Sequence, residues 1–146
     1  MKNPTVRRKL QPSTIPTLPL TLLFIIASFA FAACATSAPA TPWVVERLSP
    51  QGYEQQFGAG QQHLLVDVRT TEEFASGHIQ GAVNIPVEEL PQRLGEVPQE
   101  SPIVVYCRTG NRSAMAAQIL VNAGYGPVFD LGGIQAWIGA GYPIVN

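Results

Sequence analysis

The chain has 146 residues, enough for one ordinary domain, with 46% hydrophobic and 13% charged side chains. Four of its nine basic residues (Lys2, Arg7, Arg8 and Lys9) lie at the start, and all ten acidic residues follow residue 34. The remainder therefore holds five basic against ten acidic side chains, a net of −5, which argues against a nucleic-acid surface.

After the basic run comes an apolar stretch, Leu18 to Ala33, broken only by Pro19, Thr21 and Ser28. Basic run, apolar run and small residues together are the layout of a secretory signal. Its last residues, Phe31-Ala-Ala-Cys34, resemble the lipobox of bacterial lipoproteins, with Phe31 where that family usually has Leu. That resemblance implies cleavage before Cys34 and a lipid on its sulfur, so that the membrane is met through the N-terminal lipid. Two other outcomes stay open. Cleavage after Ala33, Ala35, Ala38 or Ala40 gives a soluble secreted protein. Without cleavage, the apolar run approaches the length of a membrane anchor. Arg7-Arg8 matches a twin-arginine signal only in the pair itself. Each outcome places the domain outside the cytoplasm, in the periplasm or cell envelope. Residues 1–33 are thus expected to be a signal peptide, 34–42 a Pro/Ala/Ser/Thr tether, and 43–146 the folded domain.

Within that domain Val44 to Leu48 reads as a short strand. Ser49-Pro50 starts a helix that runs through Phe57 to Gly58 and Gly60, with Ser as cap and Pro in the first turn. Leu64 to Val68 reads as a buried strand. Thr70 or Thr71 caps a helix over Glu72 to Ser76, stopped by Gly77. Ala82 to Ile85 is a strand and Val87 to Leu94 a short helix. Ile103 to Tyr106, Ser113 to Asn122, Pro127 to Phe129 and Gly133 to Ile138 complete the series as strand, helix, strand and helix. Strands alternating with helices predict an α/β fold, a mostly parallel sheet with helices on both faces. Ligands of such sheets bind beyond the carboxyl ends of the strands.

Cys107-Arg-Thr-Gly-Asn-Arg-Ser113 occupies such an end. A cysteine after an apolar strand is often only a small buried hydrophobe. Here Gly110 supplies an unusual turn and two arginines lie within five residues. Backbone N–H groups of the loop and the first helical turn favour negative charge, so a thiolate is stabilised there. The expected nucleophile is Cys107. The N–H groups of Arg108, Thr109, Gly110, Asn111, Arg112 and Ser113 cradle its charge, and Arg108 and Arg112 orient an anionic substrate. With Cys34 lipidated, Cys107 has no partner in the chain, and the alternative is a Cys34–Cys107 disulfide. Only His63 and His78 are available as imidazole ligands, neither at metal-ligand spacing, and no cofactor is expected.

Several blocks in order resemble the single-domain rhodanese family, the thiosulfate sulfurtransferases and their relatives. They are Leu65-Val-Asp-Val-Arg69, Glu72-Glu-Phe74, Gly77-His-Ile79, Gly81-Ala-Val-Asn-Ile-Pro86, the Cys107 loop, and Leu131-Gly-Gly-Ile-Gln-Ala-Trp137 with Gly141-Tyr-Pro143. The resemblance spans about Val44 to Tyr142. It implies a rhodanese-like three-layer fold with a parallel sheet of about five strands. It also implies a sulfurtransferase that carries sulfane sulfur as a Cys107 persulfide, from thiosulfate or a similar small anionic donor to cyanide, a thiol or a protein cysteine. The alternatives are a persulfide carrier or interaction module with little turnover, and a redox or thiol sensor. Phosphatases with a comparable loop place arginine sixth after the cysteine. Here the sixth residue is Ser113 and Arg112 comes one earlier, a tighter loop suited to one sulfur atom.

The residues around this loop have plainer readings. Asp67 and Arg69 are expected to make buried hydrogen bonds and an ion pair with Glu72 or Glu73, with Arg69 also a candidate at the site mouth. His78 is expected to be structural, His63 a surface residue, and Trp137 and Phe129 core.

Overall fold

The computed structural model describes residues 43–146. The leader, the tether and Cys34 lie outside the described residues. Five strands form one parallel sheet in the order β1-β5-β4-β2-β3: β1 (Glu46–Arg47), β2 (Leu64–Asp67), β3 (Val83–Asn84), β4 (Ile103–Cys107) and β5 (Val128–Gly133). Four helices connect or close them: α1 (Pro50–Phe57), α2 (Thr71–Ala75), α3 (Asn111–Asn122) and α4 (Ile134–Gly139). The predicted α/β class and the five-stranded parallel sheet are what the structure shows.

The middle strand explains the layering. All five residues of β4 are buried, as expected for a strand covered on both faces. Its odd positions Ile103, Val105 and Cys107 pack with Ala116, Ala117 and Leu120 of α3. Its even positions Val104 and Tyr106 pack with Tyr53 and Phe57 of α1 and Ile134 and Trp137 of α4. The period-2 alternation of a strand thus divides one apolar run between two cores.

Local signals set the helix starts. Ser49 Oγ accepts the Gly52 N–H at 3.0 Å, with Pro50 in the first turn of α1. Thr70 and Glu73 make a reciprocal cap on α2: Thr70 Oγ1 accepts the Glu73 N–H, and Glu73 Oε2 accepts the Thr70 N–H, each at 3.3 Å. Two expectations change. Val87 to Leu94 is not an α-helix but leads into two 3-10 turns, Leu90–Gln92 and Leu94–Glu96. Pro91 lacks the N–H that a continuing helix needs, and its ring would meet the carbonyl four residues back. The last strand runs to Gly133 rather than Phe129, because its end follows β4 up to Cys107. That pairing contains a bulge: Asp130 faces Val105 and Gly132 faces Tyr106, leaving Leu131 extra.

Candidate active site

The chain turns sharply where β4 ends. Gly110 has φ +110°, a left-handed conformation that any side chain would strain. The turn folds the loop back over the cysteine, so that the Gly110 N–H donates to Cys107 Sγ at 3.1 Å. α3 begins at Asn111, two residues earlier than its sequence suggests, and Ser113 is therefore in its first turn. Ser113 is fully buried, and its hydroxyl lies 3.0 Å from the Gly110 carbonyl and 3.2 Å from the Gly132 carbonyl. Its single hydrogen serves one acceptor at a time.

Burial pushes the Cys107 thiol up, since only 1% of the residue is exposed. The N–H groups of Ser113, Gly110 and Thr109 and the Ser113 hydroxyl dipole around the sulfur oppose that effect, with the Gly110 N–H at hydrogen-bond distance. They outweigh it and hold the thiol below its ordinary value. Among the described residues Cys107 has no disulfide partner, and Cys34 lies outside them. The loop rests on β5, where a side-chain carbon on Gly133 would lie 2.7 Å from the Arg108 carbonyl oxygen and 2.8 Å from Thr109 Cα. Sequence reasoning passed over this support, although Gly132-Gly133 was visible in the block that contains it.

Two of the three arginines around the loop are held by carboxylates. Arg112 is engaged by Glu73 of α2, Nη1 donating to Oε2 at 2.7 Å and Nη2 to Oε1 at 3.0 Å. Both side chains are 27% exposed, and the guanidinium holds the Glu73 carboxyl below the usual carboxylate range. Arg108 is exposed and has no ion-pair partner among the described residues. Thr109 and Asn111 are exposed beside it. Arg69 pairs with Asp67 rather than with Glu72 or Glu73, Nη2 donating to Oδ2 at 2.6 Å and to the Gly77 carbonyl at 2.8 Å. Two residues apart on one strand end, Asp67 reaches Arg69 before any helix carboxylate can. Arg69 is buried, so its engaged guanidinium braces the start of the Gly77-His-Ile79 segment.

Other side chains fill structural roles. His78 stacks on Phe74 with ring centroids 3.8 Å apart, and its backbone bridges to Val145. His63 is half-buried rather than a surface residue. Its Nδ1–H donates to the Gln61 carbonyl, which leaves Nε2 to accept the Tyr53 hydroxyl at 2.8 Å. Trp137 and Phe129 are core, as expected. A cleft of about 320 Å³ between α1, Ile79-Gln80 and Tyr142-Pro143 includes no residue of the Cys107 loop. The thiol therefore sits under its own loop, outside that cleft.

A model of the Rhodanese-like domain matches residues 49–140. The chain belongs to the rhodanese-like family. Among its relatives is a sulfurtransferase from Allochromatium vinosum, 40% identical over 103 residues, covering 70% of this chain and 96% of that protein. The thiosulfate sulfurtransferase PspE of Escherichia coli is 40% identical over 72 residues, covering 48% of this chain and 69% of that one. A solved rhodanese-related protein from Thermoplasma volcanium superposes with a TM-score of 0.62 at 33% identity, covering 68% of this chain and 97% of that one. The rhodanese-like blocks read from the sequence are thus a family match, and its relatives include named sulfurtransferases.

Proposed function

We propose that this protein is a sulfurtransferase that moves sulfane sulfur from thiosulfate or a similar donor to a thiophilic acceptor through Cys107. The observation that carries the reading is the Cys107 sulfur at the carboxyl end of β4, unbridged among the described residues and receiving the Gly110 N–H at 3.1 Å. The thiolate attacks the outer sulfur of thiosulfate. A new S–S bond forms to Cys107 as the old one breaks, and sulfite leaves with the electron pair. The persulfide's terminal sulfur carries the negative charge, which the N–H groups receive. Cyanide then attacks that sulfur, thiocyanate departs, and the electron pair returns to Cys107 as thiolate. A small thiol or a protein cysteine can take the place of cyanide. The sequence of two displacements is covalent catalysis.

The test is thiocyanate formation by the domain from thiosulfate and cyanide, with intact-mass measurement of one added sulfur on Cys107. Cys107→Ser is expected to lose both. A fully active Cys107→Ser protein would overturn the proposal. Sulfur gain without turnover would instead favour a persulfide carrier, a reading supported by the near-complete burial of the thiol, which limits acceptor access.

The setting is proposed separately. The leader pattern and Cys34 favour a lipid-anchored protein of the periplasm or cell envelope. Membrane association lost on Cys34→Ala is the expected result, and membrane partitioning that survives it refutes the lipid anchor.

A further inference from the structure

The Arg112–Glu73 pair brings a carboxylate to the active-site loop that no part of the sulfur chemistry requires. The pair is bidentate at 2.7 and 3.0 Å and joins residues 39 apart in the chain, so α2 and α3 are held together beside Cys107. Glu73 is itself fixed from two sides. Its backbone N–H and one carboxylate oxygen complete the reciprocal cap with Thr70, while both oxygens receive Arg112. A side chain with its rotamer locked at both ends is suited to set the position of a third group.

We infer that Glu73 is a positioning residue of the site: it fixes Arg112 beside the Cys107 loop and offsets its charge, leaving Arg108 and the loop N–H groups to receive the donor's oxyanion. The inference rests on the sulfurtransferase reading for its substrate but not for its geometry. The charged groups around the thiol support it. From the loop itself comes Arg108, exposed and without an ion-pair partner among the described residues. From α3 comes Arg112, which feels Cys107, Glu73 and Glu88. From α2 comes Glu73, and from the segment after β3 comes Glu88. From β5 comes Asp130, whose carboxylate is occupied by the Gly132 N–H at 2.9 Å. The Asp67–Arg69 pair is closed on itself at the end of β2. An arginine whose charge is already matched by a carboxylate attracts a dianion less than a free one does. Its worth to the site is then geometric. Such damping keeps the product sulfite from being held after transfer, and it lets an uncharged or anionic acceptor approach.

The consequence has a sign that simple damage does not share. Glu73→Gln keeps the shape and one oxygen, which can accept from the Thr70 N–H and from Arg112 Nη1 as Oε2 does, but its NH2 cannot accept from Nη2 and the negative charge is removed. Arg112 then acts with its full charge on the thiolate and on the donor. The midpoint of Cys107 alkylation by iodoacetamide is expected to move to lower pH. The KM for thiosulfate is expected to fall by roughly 1.5- to 5-fold, the range of a partly exposed ion pair. A loosened loop would do the reverse, because losing N–H donors raises the thiol and weakens anion binding. The double variant Glu73→Gln/Arg112→Gln is expected to return the alkylation midpoint toward or above that of the parent. Circular dichroism and thermal melting establish that each variant folds. An alkylation midpoint that is unchanged or raised in folded Glu73→Gln overturns the inference, whatever the turnover. A lowered midpoint in a protein that never turns over thiosulfate upholds the role of Glu73 and overturns the donor assignment instead.

Discussion

Gly133 offers the sharpest separation of geometry from chemistry. It lies at the end of β5 with ordinary extended backbone, φ −111°, so alanine is not strained there by its own dihedrals. The obstacle is space. A methyl group would stand 2.7 Å from the Arg108 carbonyl oxygen, 2.8 Å from Thr109 Cα and 3.0 Å from the Thr109 carbonyl carbon. All three are backbone atoms of the loop that covers Cys107, so no side chain can swing aside. The loop must lift by several tenths of an ångström, and the N–H groups of Thr109 and Gly110 lift with it. Overpacking of this kind costs about 1–3 kcal/mol, a fall in Tm of roughly 5–15 °C for a domain of about 100 residues. Misdirecting the donors is expected to raise the Cys107 thiol and reduce kcat/KM about tenfold, a fraction of the roughly hundredfold loss that a 1 Å misplacement can bring. The assays are the pH dependence of Cys107 alkylation and thiocyanate formation. Gly124→Ala serves as the control: there φ is +87° and strains a side chain, unlike at Gly133, but nothing lies within 4 Å and it sits beyond the far end of α3. It should lower Tm by a few degrees and leave the thiol alone. Wild-type alkylation and turnover in Gly133→Ala would refute the claim that β5 supports the loop.

Three further outcomes follow from the same structure. Tyr106→Phe leaves the buried Ile79 N–H without the hydroxyl that accepts it at 3.1 Å, and urea unfolding should show a loss of about 1–3 kcal/mol with the thiol profile unchanged. Asp67→Asn strips the buried Arg69 of its countercharge and should cost about 3–5 kcal/mol in the same measurement, more than any substitution at the exposed Arg93–Glu96 pair. Folding lowers the Glu73 carboxyl, because Arg112 donates to its charged form. Its contribution to stability is therefore fully present above the ordinary carboxylate value and is lost as pH falls through the lowered one. Glu73→Gln should flatten that part of the acid limb in a pH series of Tm. An acid limb identical to that of the parent would count against the pair.

How much could be read from residues alone depended on the range of the interaction. The caps at Ser49 and Thr70 were legible because donor and acceptor lie three residues apart. The Cys107 cradle was legible for the same reason: Cys107, Gly110 and Ser113 follow one another, and a glycine that admits positive φ is enough to turn their N–H groups inward. The apolar run Ile103 to Tyr106 announced a strand buried on both sides, though not which neighbours would flank it. The partners of the charges were decided elsewhere. Glu72 and Glu73 looked equally able to meet Arg69, yet Asp67 takes Arg69 and Glu73 takes Arg112. The choice follows from where the sheet order sets α2 relative to α3, and a contact 39 residues long leaves no local pattern. The support from Gly133 is of the same kind, since its meaning depends on a loop from another strand lying against it. By itself, then, the sequence determined the class of the fold and singled out Cys107 as the candidate nucleophile, both from short-range geometry and periodicity. Only the tertiary structure decided which arginine of the loop is held by a carboxylate and which, among the described residues, is not, because that depends on distances between segments the chain brings together from afar.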